Sequence, residues 1–477
     1  MNQQVVSQII KDSGIAFGTS GARGLVTEFT PEVCASFTIA FIQTMQKHFH
    51  FKRVAIAIDN RPSSPIMAIS CIAAAKSTGI EVDYYGVIPT PALAVTSIAD
   101  NIPAIMITGS HIPFDRNGLK FYRPDGEISK DDEISILSVN TTLCDLDIID
   151  LPIASNRAAE AYLARYLDLF NADLLKDKRI GIYEHSSAGR DLYASLFEQL
   201  GATVIRLGRS DSFMPIDTEA VAQSDIDMAQ AWQKEHRLDA LFSTDGDGDR
   251  PLLSNENGIY LRGDILCLLA AKSLYIESLA VPVNCNSAIE MCGLFKKVER
   301  TKIGSPYVIA AFDDLQKSYS RVAGFEANGG FLLASDIVVN GVPLRALPTR
   351  DAVLPVLAVL ALAGIGSISS LVSQLPEIFT ASDRIQNFPR KTSIAIIDQG
   401  LKDPGLLLAK LGLVDFEVVH VDTTDGLRIK LSNGDIVHLR PSGNAPELRC
   451  YVETTDYQKS LRLVDLVLIR LKVLFPV

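Results

Sequence analysis

Apolar and polar positions fall into alternating blocks along most of the chain. RVAIAID (53–59) is an unbroken apolar run and reads as a buried parallel strand. It is followed by a helical stretch, PIMAISCIAAAKSTG, and by two further strand-like runs, EVDYYGV (81–87) and PAIMIT (103–108). The last of these ends at Gly109-Ser110. This β-α-β rhythm predicts a parallel sheet with function at the carboxyl ends of its strands. It restarts near Ala158, with a helix at AEAYLARYLDLF and strands at RIGIYEH (179–185), ATVIRLG and LDALFST (238–244). A third round follows Arg262, with helices at DILCLLAAKSLY and SPYVIAAFDDLQKSY and a strand near AVPVNC. The three rounds read as possible divergent repeats, although no shared motif links them.

The last hundred residues change period. TSIAIID, EVVHVDTTDGLRIKLSNGDIVHLRPS and PELRCYVET read as strands with hairpin signals at Asp425-Gly426 and Asn433-Gly434. A helix, DYQKSLRLVDLVLIRLKVL, closes the chain. The expected organisation is four units, at 1–153, 154–255, 256–374 and 375–477. The first three are α/β units and the last is an α+β unit of antiparallel strands.

Composition narrows the picture. A chain of 477 residues has room for about three to four domains. Hydrophobic residues make up 47% and charged residues 21%, which excludes wholesale disorder. The net charge is −11, from 45 Lys+Arg against 56 Asp+Glu, and argues against a general nucleic-acid binder. Seven scattered cysteines without a CxxC pair predict reduced thiols in a cytoplasmic protein. The N-terminal MNQQVVSQIIKDSG has no basic stretch before an apolar run, so no secretory leader is expected. AVLPVLAVLALAGIG (352–366) is uncharged but too short to span a bilayer, which takes about 20 apolar residues, so it is expected to be a buried helix.

Five loops carry candidate chemistry. In Thr244-Asp245-Gly246-Asp247-Gly248-Asp249-Arg250, closely spaced carboxylates repel one another, and a hard divalent cation such as Mg²⁺ would offset that repulsion. An EF-hand reading places Asp245, Asp247, Asp249 and Glu256 at ligand positions. It fails on Arg250 where glycine is required and on the strand-like run before the loop. Thr108-Gly109-Ser110-His111-Ile112-Pro113, with Asn117-Gly118-Leu119-Lys120 after it, puts a serine at a strand-to-loop junction. That position suits a nucleophile or phosphate ligand, but the stretch is not a GxSxG elbow. Gly18-Thr19-Ser20-Gly21-Ala22-Arg23-Gly24 suits an anion. Arg440-Pro441-Ser442-Gly443-Asn444-Ala445-Pro446, with Arg449, matches phosphate recognition. Gly324-Phe325-Glu326-Ala327-Asn328-Gly329-Gly330 offers a carboxylate and an amide to sugar hydroxyls. Apart from the aspartate loop, each of these is as readily a turn when taken alone.

In order and spacing the set resembles the α-D-phosphohexomutase superfamily, particularly its phosphomannomutase and phosphoglucomutase enzymes. The resemblance covers nearly the whole chain. It implies three similar mixed-sheet α/β domains and a C-terminal α+β, TATA-binding-protein-like domain around a central cleft. It also implies that Ser110 carries a phosphoryl group, and that Asp245, Asp247 and Asp249 bind one Mg²⁺ together with it. Arg250 would help hold the phosphoserine, and Arg23 and Lys120 would assist acid/base chemistry. Lys302, Glu326 and Asn328 would contact the sugar, and Arg440, Ser442, Gly443 and Asn444 its non-reacting phosphate. The expected reaction passes through a bisphosphorylated hexose that also serves as activator, and neither nucleic acid nor membrane is an expected partner. Arg23, Lys120, Arg250, Lys302, Arg440 and Arg449 are expected to gather into one positive pocket.

The chain departs from the family pattern at several positions. Asn328 replaces Ser, Gly330 replaces a His proposed to contact substrate or assist proton transfer, and Ser305 stands where many members have His. Asn444-Ala445 replaces Thr-Glu, and the serine loop reads TGSHIP rather than SHNP. These changes leave the phosphoryl-transfer residues in place and bear on substrate choice. The leading expectation is a phosphomannomutase. A phosphoglucomutase or dual-specificity mutase, a sugar-phosphate-binding homologue without turnover, and a metal-dependent phosphatase are the alternatives.

Overall fold

A computed structural model describes residues 5–18, 21–143, 145–442 and 446–476. Three of its sheets contain the same four-stranded unit. In the first, Arg53–Ile58 is parallel to both Glu81–Val87 and Ala104–Ile107, and Ala104–Ile107 is antiparallel to Arg116–Arg123. In the second, Arg179–Tyr183 is parallel to Thr203–Leu207 and Ala240–Thr244, and Ala240–Thr244 is antiparallel to Pro251–Ser254. In the third, Ser278–Pro282 is parallel to Lys297–Thr301 and Val322–Phe325, and Val322–Phe325 is antiparallel to Phe331–Leu333. Each unit therefore runs fourth-third-first-second across its sheet. The repeat that no motif revealed is written in strand pairing.

This pairing places the chemistry. The serine loop, the aspartate loop and the Glu326 loop each join a unit's third strand to its antiparallel fourth. They are equivalent hairpin tips at the carboxyl ends of parallel strands, where the topology leaves backbone groups open to a ligand. The first sheet also carries Gly21–Leu25, paired with Arg116–Arg123, which brings Arg23 opposite Gly118.

Apolar side chains of all three units merge into one core. It runs from Ala57, Met106 and Tyr122 through Tyr162, Ile182 and Phe242 to Leu279, Phe325 and Val356. The uncharged stretch of the sequence is the helix Val353–Ala363, buried along its length up to Leu360 and packed on Gly263–Ser273. Among the described residues no helix is long and apolar enough to cross a membrane. Cys34, Cys71, Cys267, Cys285, Cys292 and Cys450 are free thiols, and Cys144 lies outside the described residues.

The last sheet is wholly antiparallel, in the order Phe379–Ile385, Leu448–Thr454, Ile436–Pro441, Leu427–Leu431, Val418–Asp422. It has a core of its own, closed by Leu463, Val464, Val467 and Leu471 of the helix Tyr457–Leu474. The expected strand at TSIAIID is a helix instead, Arg390–Lys402. Its short β-branched run fits either period, and burial of Ser393, Ile396, Ile397 and Gly400 follows the helical one. The strand in that region is FTASDRI (379–385), which pairs along its whole length with Leu448–Thr454. The expected helix at SPYVIAAFDDLQKSY is broken into Ser305–Ala310 and Phe312–Gln316.

Candidate active site

Ser110 stands at the tip of the first unit with φ of 55°, the left-handed region that few residues other than glycine occupy. A backbone held there costs about 1–3 kcal/mol and persists only where its surroundings fix it. They do so here. Ser110 N donates to Thr108 Oγ1 at 2.7 Å, and Arg61, fully buried, donates to the carbonyls of Ser110, Ile112, Pro113 and Arg116 at 2.6–3.0 Å. Asp59 anchors Arg61 at 3.1 Å and also accepts from Ser64 and Thr108. Gly109 is required beside it, because a Cβ there would lie 2.7 Å from the Arg61 guanidinium carbon. The Phe213 ring covers the outer face of that guanidinium at 4.0 Å.

The Ser110 hydroxyl donates to Asp245 Oδ2 at 2.7 Å. Asp245, Asp247 and Asp249 all have zero exposure, and one carboxylate oxygen of each lies within 4.8 Å of the others. The hairpin reaches this shape through Gly248, whose φ of +72° turns the chain back. Asp245 Oδ1 caps the turn by accepting from the backbone N–H groups of Asp249 and Arg250 at 3.2 and 3.3 Å. Lys120 extends from the first sheet and donates to Asp247 Oδ2 and, at 2.7 Å, to Asp249 Oδ2. Thr90 adds a bond to Asp247 at 2.8 Å.

These partners sort the aspartates. Burial and the two neighbouring carboxylates push Asp245 well above the usual carboxylate range. Burial also opposes ionisation of Asp247 and Asp249, but Lys120 outweighs it at the first and Arg350, with Lys120, at the second, so both are held low. Asp247 Oδ1 and Asp249 Oδ1 are buried and make no hydrogen bond among the described residues. Buried anionic oxygens seek a partner. An all-oxygen donor set of this kind fits a hard divalent cation such as Mg²⁺. Glu256, the fourth position of the discarded EF-hand reading, bonds Ser369 instead.

The cations crowd the same centre. Arg250 donates from Nη1 to His111 Nδ1 at 2.7 Å. Burial, then Arg250 itself, drives His111 down to about 3, so the imidazole is neutral and accepts at Nδ1. Arg23 faces Arg250 and Arg350. Burial and Arg250 lower it to about 10, and its Nε has no partner among the described residues. Arg350, 1% exposed, donates to Asp249 Oδ2 at 3.0 Å, Glu326 Oε2 at 3.0 Å and Ser305 Oγ at 3.3 Å. Asn328 shapes the Glu326 loop by accepting from Gly330 N at 3.0 Å.

The expected gathering is therefore divided. Ser110, the three aspartates, Arg23, Lys120, Arg250, Glu326 and Asn328 meet at the tips of the first three units. There Arg23, Lys120, Arg250 and Arg350 lie among Asp245, Asp247, Asp249 and Glu326, so the basic residues are interleaved with carboxylates rather than forming a purely positive pocket. Arg440, Ser442 and Arg449 belong to the last sheet. Arg440 donates to Asp425 at 2.7 Å and Arg449 to Glu447 at 3.3 Å. Asp425 also accepts from Ile303 N at 3.0 Å, which ties this sheet to the segment carrying Lys302. Lys302 is exposed, its ammonium 5.8 Å from the Tyr307 ring centre. Thr19, Ser20, Gly443 and Asn444 lie outside the described residues.

Several groups escaped the reading of motifs. Asp59 and Arg61 follow the strand Arg53–Ile58, and a polar pair at a parallel strand's carboxyl end was the available signal. Arg350 and Phe213 had none, because their partners are far away in sequence.

Three family models match the chain. Residues 14–142 match phosphoglucomutase/phosphomannomutase alpha/beta/alpha domain I, residues 262–379 match its alpha/beta/alpha domain III, and residues 395–469 match its C-terminal domain. The chain is 58% identical over 464 residues to a phosphomannomutase of Salmonella muenchen, covering 97% of each chain. It is 42% identical over 458 residues to a phosphomannomutase of Sinorhizobium fredii, covering 93% of this chain and 96% of that one. In fold it is similar to a crystal structure of a phosphoglucomutase/phosphomannomutase family protein from Burkholderia thailandensis. The TM-score is 0.75 at 18% identity, over 96% of this chain and 97% of the other.

Proposed function

The chain belongs to the phosphoglucomutase/phosphomannomutase family, and on that premise we propose that it interconverts mannose 6-phosphate and mannose 1-phosphate. The observation that carries the mutase reading is Ser110, a strained and wholly buried serine whose hydroxyl bonds Asp245 within the aspartate cluster. The mannose assignment is supported by the extent of the likeness to the two phosphomannomutases.

In the proposed cycle Ser110 begins as a phosphoserine. A hydroxyl oxygen of the bound hexose phosphate attacks its phosphorus, the bond to Ser110 Oγ breaks, and a bisphosphorylated hexose forms. The sugar then turns over within the cleft, and Ser110 Oγ takes the other phosphoryl group. Such a transfer depends on positioning and charge neutralisation. Asp245, Asp247 and Asp249 would hold Mg²⁺, which when bound supplies neutralisation of the phosphoryl oxygens. Lys120 and Arg250 add fixed positive charge beside Ser110, and Arg61 holds the loop carbonyls so that Oγ keeps its place. Arg23, a buried cation whose Nε–H has no partner among the described residues, would with Lys120 manage the proton of the attacking hydroxyl or stabilise the charge that develops on it. Arg440, Ser442 and Arg449, with Gly443 and Asn444, would take the phosphate that is not reacting, and Glu326, Asn328 and Lys302 the sugar.

A substrate panel tests this. With Mg²⁺ and a hexose bisphosphate activator present, mannose 1-phosphate is expected to be isomerised faster than glucose, glucosamine or N-acetylglucosamine 1-phosphate, with almost no inorganic phosphate released. Turnover of none of the four overturns the mutase reading. Stoichiometric phosphate release replaces it with a phosphatase.

A further inference from the structure

We propose that Arg350 is a positioning residue that sets Glu326 for sugar recognition and binds the sugar loop to the aspartate loop. This rests on the mutase reading and assigns a part that no motif of the chain announces. Among the described residues Arg350 is the one side chain shown bonding both loops, through Nε to Asp249 and Nη1 to Glu326. Its bond occupies Glu326 Oε2. Among the described residues Glu326 Oε1 and Asn328 Nδ2 have no hydrogen-bond partner, which leaves an acceptor and a donor for sugar hydroxyls.

The two positions where histidine is expected explain how the guanidinium fits. At Gly330 a Cβ would lie 2.5 Å from Arg350 Cγ and Cδ, so the arginine stem runs through the volume that any side chain there would need. At Ser305 the small hydroxyl accepts from Nη1 at 3.3 Å, and it donates in turn to Glu127 at 2.8 Å. Gly330, Ser305 and Arg350 thus fit together, with a single forked cation taking the space that the two small residues leave. Arginine suits this because its planar fork can serve two carboxylates at once and stays charged.

The strand that carries it, Leu347–Asp351, is locked. Tyr162 and Tyr166, on the helix Arg157–Leu167, both donate to Asp351, the first at 2.8 Å. Thr349 donates to Glu127 at 2.8 Å. With its neighbours held on both sides, Arg350 is presented from a rigid edge, and the position of Glu326 follows from it.

The test measures binding rather than turnover, in a Ser110→Ala background at fixed magnesium concentration, by calorimetry with two probes, mannose 1-phosphate and inorganic phosphate. Arg350→Lys keeps the charge and loses the fork. It is expected to weaken mannose 1-phosphate about tenfold and to leave inorganic phosphate unchanged. Gly330→Ala, which pushes on the arginine stem, is expected to do the same. Gly330→Ala combined with Arg350→Met should be no worse than Arg350→Met alone, because both act on one contact. If Arg350→Met does not fold, Arg350→Lys and Gly330→Ala still decide. Unchanged mannose 1-phosphate affinity in these variants, or an equal loss for both probes, overturns the inference. A Ser110→Ala parent that fails to bind mannose 1-phosphate counts instead against the mannose assignment and the inference together, so the two failures are distinguishable.

Discussion

The proposed site draws on two regions that are built differently. The proposed transfer site lies at hairpin tips of three units that share one apolar core, and its serine and aspartates have no exposure. The proposed distal phosphate loop follows a strand of a sheet with a separate core. Polar bonds tie that sheet to the third unit: Asn286 to Ile378 O and Thr380, Ser287 N to Glu453, Arg428 to Ser287, and Ile303 N to Asp425. A shared core transmits strain and resists movement. Individual polar bonds contribute only about 0.5–1.5 kcal/mol net each and can be exchanged for bonds to a ligand. The contrast suits the two tasks, since phosphoryl transfer needs fixed geometry and a site that must accept either end of the sugar needs play.

Breaking each region in turn should show this difference. The largest effect is expected from Ser110→Ala, a loss of about 10⁴-fold or more in kcat with the fold retained, since the serine adds little to the apolar core. Turnover close to normal would remove the phosphoserine from the scheme.

Arg61→Met should come next. It strands Asp59 as a buried carboxylate and frees the serine loop, at a cost of about 3–5 kcal/mol in stability, read by denaturant unfolding, together with a fall in kcat.

Arg440→Ala should act on the other side of the comparison. Its expected effect is a rise in KM of about 10–100-fold with little change in kcat or stability. A collapse of kcat would mean that the two regions are as rigidly coupled as a single core.

The smallest effect is on pH dependence. Burial lowers His438, in the distal sheet, and His185, behind the aspartate loop, from 6.5 to about 4. Each is neutral in the fold, so the unfolded chain binds more protons between these values. Stability is then complete above about pH 6.5, falls as the pH drops towards about 4, and levels off below that. Near pH 5.5 each histidine should cost about 1 kcal/mol. His438→Gln should flatten this loss in part, measured as melting temperature against pH. An unchanged slope would show that His438 is not the titrating group.

Much of this was legible in the chain. LDALFST followed by an aspartate-glycine repeat marks a strand feeding a tight acidic loop, whatever packs around it. Apolar blocks broken by Gly-Ser and Gly-Asp junctions place loops at strand ends. Asn433-Gly434 and Asp425-Gly426 are the turns they resemble, with Gly434 and Gly426 at φ of 88° and 92°. These are local properties, in which spacing and turn chemistry suffice. TSIAIID was ambiguous because a short β-branched run satisfies both periods, and its burial partners settled it as a helix.

Tertiary structure alone decided which residues meet. Ser110 is 135 positions from Asp245 and Lys120 is 129 from Asp249, separations at which no pattern along the chain can speak. Arg350 lies 101 positions from Asp249, on the strand Leu347–Asp351 that is added beside the repeated four of the third unit, and only the fold brings the two together. The sequence by itself determined the chemical groups and the loops that carry them. The folded chain decided their pairing, their burial and therefore their charge state. Those depend on what surrounds each group in space, and this close pairing of cations with carboxylates could not be inferred from a scattering of basic residues along an acidic chain.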